Sequence, residues 1–292
     1  MEFNYSRMLI VLFFPPPPLP PPSLHSAPLI LNGKSYAFDN YCNIPESIAK
    51  KSHVHLHVKP NNPLAILVSE ISNYFKLTQP ETQYQLINNL HPVVSTKANF
   101  DDLLIPIDHV SRKPTDTYYV NPSTVLRTHT SAHQGEVLKR GGNAFLIAAD
   151  VYRRDEIDTT HYPVFHQMEG IRIFSETNLF NETQISLPSS SSSTVTTTTT
   201  SSYNAVASFS ENNPVQSSHT NDIARQVGTH LRWSLDGLAR HLFGKDIEIR
   251  WTESYFPFTS PSWEMEILYQ GKWLEVCGCG VMRQEILNRS GN

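Results

Sequence analysis

The chain has 292 residues, 39% of them hydrophobic and 10% aromatic, enough for one domain with a sizeable core or for two small ones. Twenty-three Lys and Arg against 27 Asp and Glu leave a formal charge of -4, so no global basic field exists to capture nucleic acid and any RNA contact is local or lies outside this sequence. Three cysteines, Cys42, Cys277 and Cys279, provide no disulfide framework and fit a reducing compartment.

The first apolar run, MLIVLFF (8–14), is too short to span a bilayer and leads directly into PPPPLPPP, a polyproline or disordered stretch. Residues 1–30 therefore read as a Pro-rich leader or disordered arm, and 31–62 as an N-terminal extension. Within that extension HVHLHV (53–58) puts His53, His55 and His57 on one face if the segment is extended. Three imidazoles invite a metal reading, but with no carboxylate nearby in sequence they fit a solvent-facing strand or loop better. PLAILVSEISNYFKL (63–77) spaces Leu64, Leu67, Val68, Ile71 and Phe75 as a helix with Pro63 in its first turn.

In VYRRDEIDTTHYPVFHQMEG (151–170), two runs of aromatic and branched residues flank a polar connection, the pattern of an antiparallel hairpin. Alternation then places Phe165, Gln167 and Glu169 on one face and Val164, His166 and Met168 on the other. A ring, an amide and a carboxylate on one face suit a planar base and an ammonium group, and Arg153 offers a fork of donors to a phosphate. The same residues also fit a solvated hairpin with ordinary charge pairs. From about 182 to 220 the Ser/Thr-rich stretch has no periodicity and little to bury, which predicts a mobile insertion.

Order is expected to resume at NDIARQVGTHLRWSLDGLARHLFG, where Ile223, Val227, Leu231, Leu235, Leu238 and Leu242 form an apolar stripe and Gly244 a stop. DIEIRWT (246–252) alternates as a strand, and SWEMEILYQGKWLEV reads as a hairpin turning at Gln270 and Gly271. Phe256 and Phe258 in FPF face the same way on an extended segment, as core or as pocket. Cys277 and Cys279 make half of a metal site with no matching ligands nearby, so no metal site is expected. The mixture of helices and antiparallel hairpins predicts an α+β fold.

Four stretches together, RTHTSAHQ (127–134), VYRRDEIDTTHYPVFHQMEG (151–170), RWTESYFPFTSPSWEMEI (250–267) and WLEVCGCGVM (273–282), resemble the catalytic module of phenylalanyl-tRNA synthetases of the single-chain organellar type. NFDDLLIPIDHVSRKPTDTYYVN (99–121) resembles that family's class II motif 1, and VYRRD with VFHQMEG its motif 2. The resemblance covers about 63–292, interrupted by the Ser/Thr stretch, and implies a class II antiparallel sheet flanked by helices. It further implies a ligase that joins phenylalanine to ATP, with Mg²⁺ on the phosphates, and passes the aminoacyl group to tRNA(Phe) in the mitochondrial matrix. A monomer with no membrane association is implied for the complete form.

Residue by residue, the resemblance makes Arg153 the catalytic guanidinium and gives ATP to Arg153, Asp155, Thr160, His161, Tyr162 and Phe165. It gives phenylalanine to His129, Ser131, Ala132, His133, Gln134, Gln167, Met168, Glu169, Phe256, Phe258 and Glu275. Glu169 is the counter-charge of the substrate ammonium, and the two phenylalanine rings pack on the substrate phenyl. Gly278 and Gly280 let substrate approach a strand lacking side chains. Arg154, on the opposite face from Arg153, is expected in a structural ion pair. A serine near two histidines does not make a hydrolase, because no G-x-S-x-G elbow is present.

The sequence ends at Asn292, where the family continues into motif 3 and an anticodon-binding domain. The expected fold is therefore incomplete on its C-terminal side. Two functional expectations follow: a phenylalanine-tRNA ligase whose activity needs the missing part, or a non-catalytic phenylalanine- or adenylate-binding or regulatory protein derived from it.

Overall fold

The computed structural model describes residues 28–154, 162–175, 179 and 207–291. The first elements are a ribbon of β1 (Leu29–Leu31) and β2 (Lys34–Tyr36), a short α1 (Glu46–Ala49) and the 16-residue α2 (Pro63–Thr78). Pro63 starts α2 as expected, and the Asn62 side chain caps it by accepting from the Leu64 amide at 3.0 Å. Its buried face is Val68, Ser72, Tyr74 and Phe75, while Leu67 points to solvent, so the apolar stripe lies further round the helix than the leucine spacing predicts.

Strand β3 (Gln85–Ile87) pairs parallel with β7 (Ala144–Tyr152), and β7 pairs antiparallel with β8 (Val164–Arg172) as the predicted hairpin, with Val151 opposite Phe165. AFLIAADVY is apolar at almost every position, and β7 is buried along nearly its whole length, as a central strand covered on both faces must be. Strand β8 is only half-buried throughout and leaves one face open. A second sheet joins β4 (Val93–Ser95), β6 (Thr124–Leu126) and β5 (Tyr119–Asn121), with α3 (Thr96–Asn99) leaving β4 and α4 (Gln134–Lys139) following β6.

Helix α5 (Asn221–Phe243) covers a third sheet, β9 (Ile249–Ser254), β10 (Thr259–Tyr269) and β11 (Lys272–Met282), and α6 (Gln284–Ser290) follows. Thr220 caps α5, Gly244 ends it at φ 103°, and the β10–β11 hairpin turns at Gln270 and Gly271, both at positive φ. Trp263, Met265 and Ile267 alternate inward toward α5. A Cβ on Gly228 would lie 2.8 Å from the Trp263 ring, so the absence of a side chain sets the helix-to-sheet distance. The fully buried positions of α5 are small or polar ones such as Ala224, Gly228, Ser234 and Ala239, and the predicted leucines flank them half-buried.

The α+β expectation holds, in the form of three separate three-stranded sheets with one parallel pair among the described residues. Two expectations are corrected. Residues 207–220, read as the end of the insertion, are packed: Ala207 is buried beside Trp263, and Asn213 exchanges hydrogen bonds with the Ser262 backbone at 2.7 and 2.9 Å. Small and amide side chains satisfy a partner's backbone here, a tertiary effect invisible to periodicity. HVHLHV is not an extended face either, because His55 takes a left-handed conformation (φ 42°) and Leu56–Val58 form a 3-10 turn that buries His57. No described helix is long and apolar enough to cross a membrane.

Candidate functional site

The open face of β8 carries the polar centre. The hairpin closes through the Arg153 amide on the Pro163 carbonyl at 3.1 Å. The Arg153 side chain donates from Nε to the Thr128 carbonyl at 3.1 Å and lays its guanidinium 5.1 Å from the centroid of the Phe165 ring, a cation–π contact that fixes both groups. Two and four residues along the same face stand Gln167 and Glu169, as the alternation predicts. The Gln167 Oε1 atom is buried without a hydrogen-bond partner.

Facing them is the turn Thr130–His133, a 3-10 segment that leads from β6 into α4. Ser131 Oγ donates to Glu169 at 2.6 Å and Gln134 Nε2 donates to it at 3.2 Å. Burial pushes the Glu169 carboxyl above the usual carboxylate range, against the lowering effect of its Ser131, Thr130 and Gln134 hydrogen bonds. Gln134 Oε1, like Gln167 Oε1, has no partner. A carboxylate and two unmatched amide oxygens in a desolvated place suit a cation that brings its own donors.

His129 enters the turn with both ring nitrogens shielded from solvent and without a well-formed hydrogen bond. Burial, reinforced by the Arg153 charge and opposed by the Asn99 backbone, lowers its pKa to about 4, so the ring is neutral at physiological pH. Asn99, at the end of α3, holds the preceding residue by donating to Thr128 Oγ1 at 2.9 Å and accepting from the Thr128 amide at 3.0 Å.

The aromatic wall comes from the β9–β10 connection. Phe256 and Phe258 stack with centroids 6.0 Å apart and planes 20° from parallel, in a turn and not on the extended segment expected. Arg283 secures that turn, Nε donating to the Pro257 carbonyl at 2.9 Å and its amide to the Phe258 carbonyl at 3.0 Å. Phe258 leans on Phe100 and Tyr119, next in chain to Asn99 and in the sheet that leads to His129. The space above Gly278 belongs to the Phe256 ring, whose Cζ would lie 2.5 Å from a Cβ there, and that above Gly280 to the Pro261 carbonyl and Thr259. The two glycines thus admit the chain's own groups.

Several predicted residues fall elsewhere. Met168 points to the opposite face of β8 and packs with Tyr74, Phe75 and Leu146, because strand alternation sends neighbours to opposite sides. His133 is buried and turned to Arg127, whose Nη1 donates to its Nε2 at 3.0 Å, and Ala132 is buried beside it. Tyr162 is exposed under the Lys51 ammonium, 5.3 Å from the ring centroid. Glu275 is exposed on β11, across from Glu266, and burial together with the Glu264 and Glu266 charges raises its pKa. Arg154, expected in an ion pair, donates to the Pro114 carbonyl at 2.7 Å. Asp155, Thr160 and His161 lie outside the described residues.

Two residues that sequence reading passed over organise the site from behind. Arg127 is fully buried and donates to the Asp150 carbonyl (2.7 Å), the Asp150 carboxylate (3.1 Å), the Leu90 and His91 carbonyls (3.0 and 3.1 Å) and His133. Burial pushes the Asp150 carboxyl up, but Arg127 and hydrogen bonds from Tyr152 and His55 together hold it below its ordinary value. The one available signal was a charged residue in each of two otherwise apolar strand contexts, TVLR and IAAD.

The family of class II tRNA synthetase core domains (F) matches residues 51–187 and 224–292. The mitochondrial phenylalanine–tRNA ligase of Dictyostelium discoideum is 43% identical over 258 residues, 85% of this chain and 51% of that protein. That of Rattus norvegicus is 42% identical over 267 residues, 90% and 54% of the two chains. The chloroplastic/mitochondrial phenylalanine–tRNA ligase of Arabidopsis thaliana is 44% identical over 249 residues, 85% and 49%. The chain thus spans about half the length of the curated relatives it matches.

Proposed function

Because the chain belongs to the class II core-domain family (F) of tRNA synthetases, we propose that it is the phenylalanine-activating part of a mitochondrial phenylalanine–tRNA ligase. The observation that carries this reading is the desolvated Glu169 carboxylate beside unmatched Gln134 and Gln167 oxygens, with the Arg153 guanidinium on the Phe165 ring of the same face.

In this reading the substrate ammonium sits against Glu169, Gln167 and Gln134. Its arrival supplies the charge whose absence makes the buried carboxylate unfavourable. The phenyl ring meets Phe256 and Phe258, in an apolar pocket that rejects an added hydroxyl only by a finite factor, on the order of a hundredfold. Adenine lies on Phe165, and MgATP enters as substrate, the ion easing repulsion between the phosphates and the incoming carboxylate. That carboxylate attacks the α-phosphate, pyrophosphate leaves, and Arg153 stabilises the charge growing on the oxygens without a proton transfer. Neutral His129 serves as a hydrogen-bond donor at the carboxylate or phosphate. Transfer of the aminoacyl group to tRNA(Phe) completes the reaction of a monomeric enzyme. The names of the relatives favour this over a non-catalytic binding protein.

Calorimetry with a non-hydrolysable phenylalanyl-adenylate analogue tests the reading. Binding that is lost in Glu169→Gln and in Arg153→Ala is expected, together with loss of phenylalanine-dependent ATP–pyrophosphate exchange when the same changes are made in the full-length enzyme. Unchanged exchange in Arg153→Ala would defeat it.

A further inference from the structure

The turn that removes HVHLHV from an extended face also separates its histidines. His53 stays exposed, whereas His55 and His57 come to Asp150 of β7, nearly a hundred positions away in sequence. One ring nitrogen of each histidine and one carboxylate oxygen lie within 4.8 Å of one another, the one such three-donor group of His, Cys, Asp or Glu among the described residues.

Hydrogen bonding fixes which nitrogens are free. His57 Nε2 donates to the Asn88 carbonyl at 3.0 Å, which leaves Nδ1 as the basic lone pair, and that atom is buried, in a residue only 3% exposed, with no partner. His55 Nε2 faces the Asn32 side-chain oxygen at 3.0 Å, and its Nδ1 faces Asp150 Oδ1 at 2.9 Å. Each imidazole therefore spends its outer N–H on an amide oxygen and turns the other nitrogen inward, the arrangement that orients metal-binding histidines. Asp150 is held in turn by Arg127 and Tyr152.

We propose that His55, His57 and Asp150 form a binding site for a borderline divalent ion of the Zn²⁺ class, separate from the activation centre. Two imidazole nitrogens and one carboxylate match three-ligand zinc sites and disfavour Mg²⁺ or Ca²⁺, which take oxygen donors. Bonds of about 2.0–2.2 Å place tetrahedral ligand atoms roughly 3.3 Å apart, a small widening of the present His55–Asp150 contact. The ion sits between the His55 Nδ1 lone pair and Asp150 Oδ1, where the two ligand atoms already face each other at 2.9 Å. A cleft of about 280 Å³ lined by His57, Ser72 and Asn88 lies beside the group. The bound ion clamps the N-terminal extension to β7, and through Arg127 it bears on the turn holding His133.

The test is titration of the chelator-stripped 292-residue chain with Co²⁺, followed by visible absorption, and with Zn²⁺, followed by thermal unfolding. One equivalent of tetrahedral Co²⁺ without a thiolate charge-transfer band, displaced by Zn²⁺ and not by Mg²⁺, is expected, with a higher Tm in Zn²⁺. His57→Gln should abolish it, Asn32→Ala should weaken it about 10- to 100-fold through the outer contact, and His53→Ala and Cys277→Ser should leave it intact. Circular dichroism separates lost binding from lost folding. No stoichiometric binding, binding indifferent to both His57→Gln and Asn32→Ala, or a cobalt–thiolate band would each overturn the proposal. None of these readouts depends on phenylalanine activation.

Discussion

Glu169 concentrates the chemistry of the site in one side chain. Its carboxyl pKa is raised by burial, so the folded chain binds a proton there more readily than the unfolded chain does. The stability associated with that group is then fully present below the unfolded carboxylate range and is lost as pH rises through the folded pKa. Glu169→Gln keeps an acceptor for Ser131 while removing the charge. In the absence of ligand it should raise the urea midpoint at neutral pH, with the gain vanishing as the pH falls below about 4, even as it removes adenylate-analogue binding. A stability that is destroyed along with binding would mean that Glu169 is a structural carboxylate. His133 has the opposite sign. Burial, aided by the Arg127 charge, lowers its pKa to about 3. Its contribution is present above the unfolded value near 6.5 and is lost as pH falls toward about 3. His133→Gln, which still offers an acceptor to Arg127, should flatten the dependence of the urea midpoint on pH across that window.

At the scale of elements, glycine placement distinguishes packing from pocket. Gly228 of α5 is pressed on Trp263 in a buried interface, where an added methyl has nowhere to go. Gly278 of β11 faces the open side, and the atom it would meet is the far edge of the Phe256 ring. Gly278→Ala should therefore swing Phe256 away from Phe258 at a stability cost below about 1 kcal/mol, less than ordinary overpacking, and weaken phenylalanine binding at least several-fold. Equal losses of stability and affinity would place Phe256 in the core instead. The β7–β8 hairpin was legible from spacing, because it is a local pattern of alternation interrupted by turn residues. The buried stripes of α2 and α5 were displaced from their leucines because sheet and helix neighbours selected small residues for close approach.

For the whole molecule, the decisive link is the buried Arg127–Asp150 pair. It joins the His91 loop, β7, the histidine turn of the N-terminal extension and the turn bearing His133. Removing one member of a buried pair leaves an uncompensated charge, so Arg127→Met should cost about 3–5 kcal/mol in urea unfolding, with little relief from added salt because the pair is screened from solvent. A loss under about 1 kcal/mol, the range of surface pairs, would mean that the network is not cooperative with the fold.

By itself the sequence determined the α+β class, the hairpin carrying Arg153, Phe165, Gln167 and Glu169, and the family whose motifs those residues repeat. Each is written in neighbouring residues, where strand alternation and turn chemistry act over a few positions. Tertiary structure alone decided that His133 turns away from the centre, that residues 207–220 pack, and that His55 and His57 meet a carboxylate. Such contacts depend on which distant groups share a low-dielectric interior, where an unmatched charge or donor must find its partner, and no local period records that choice.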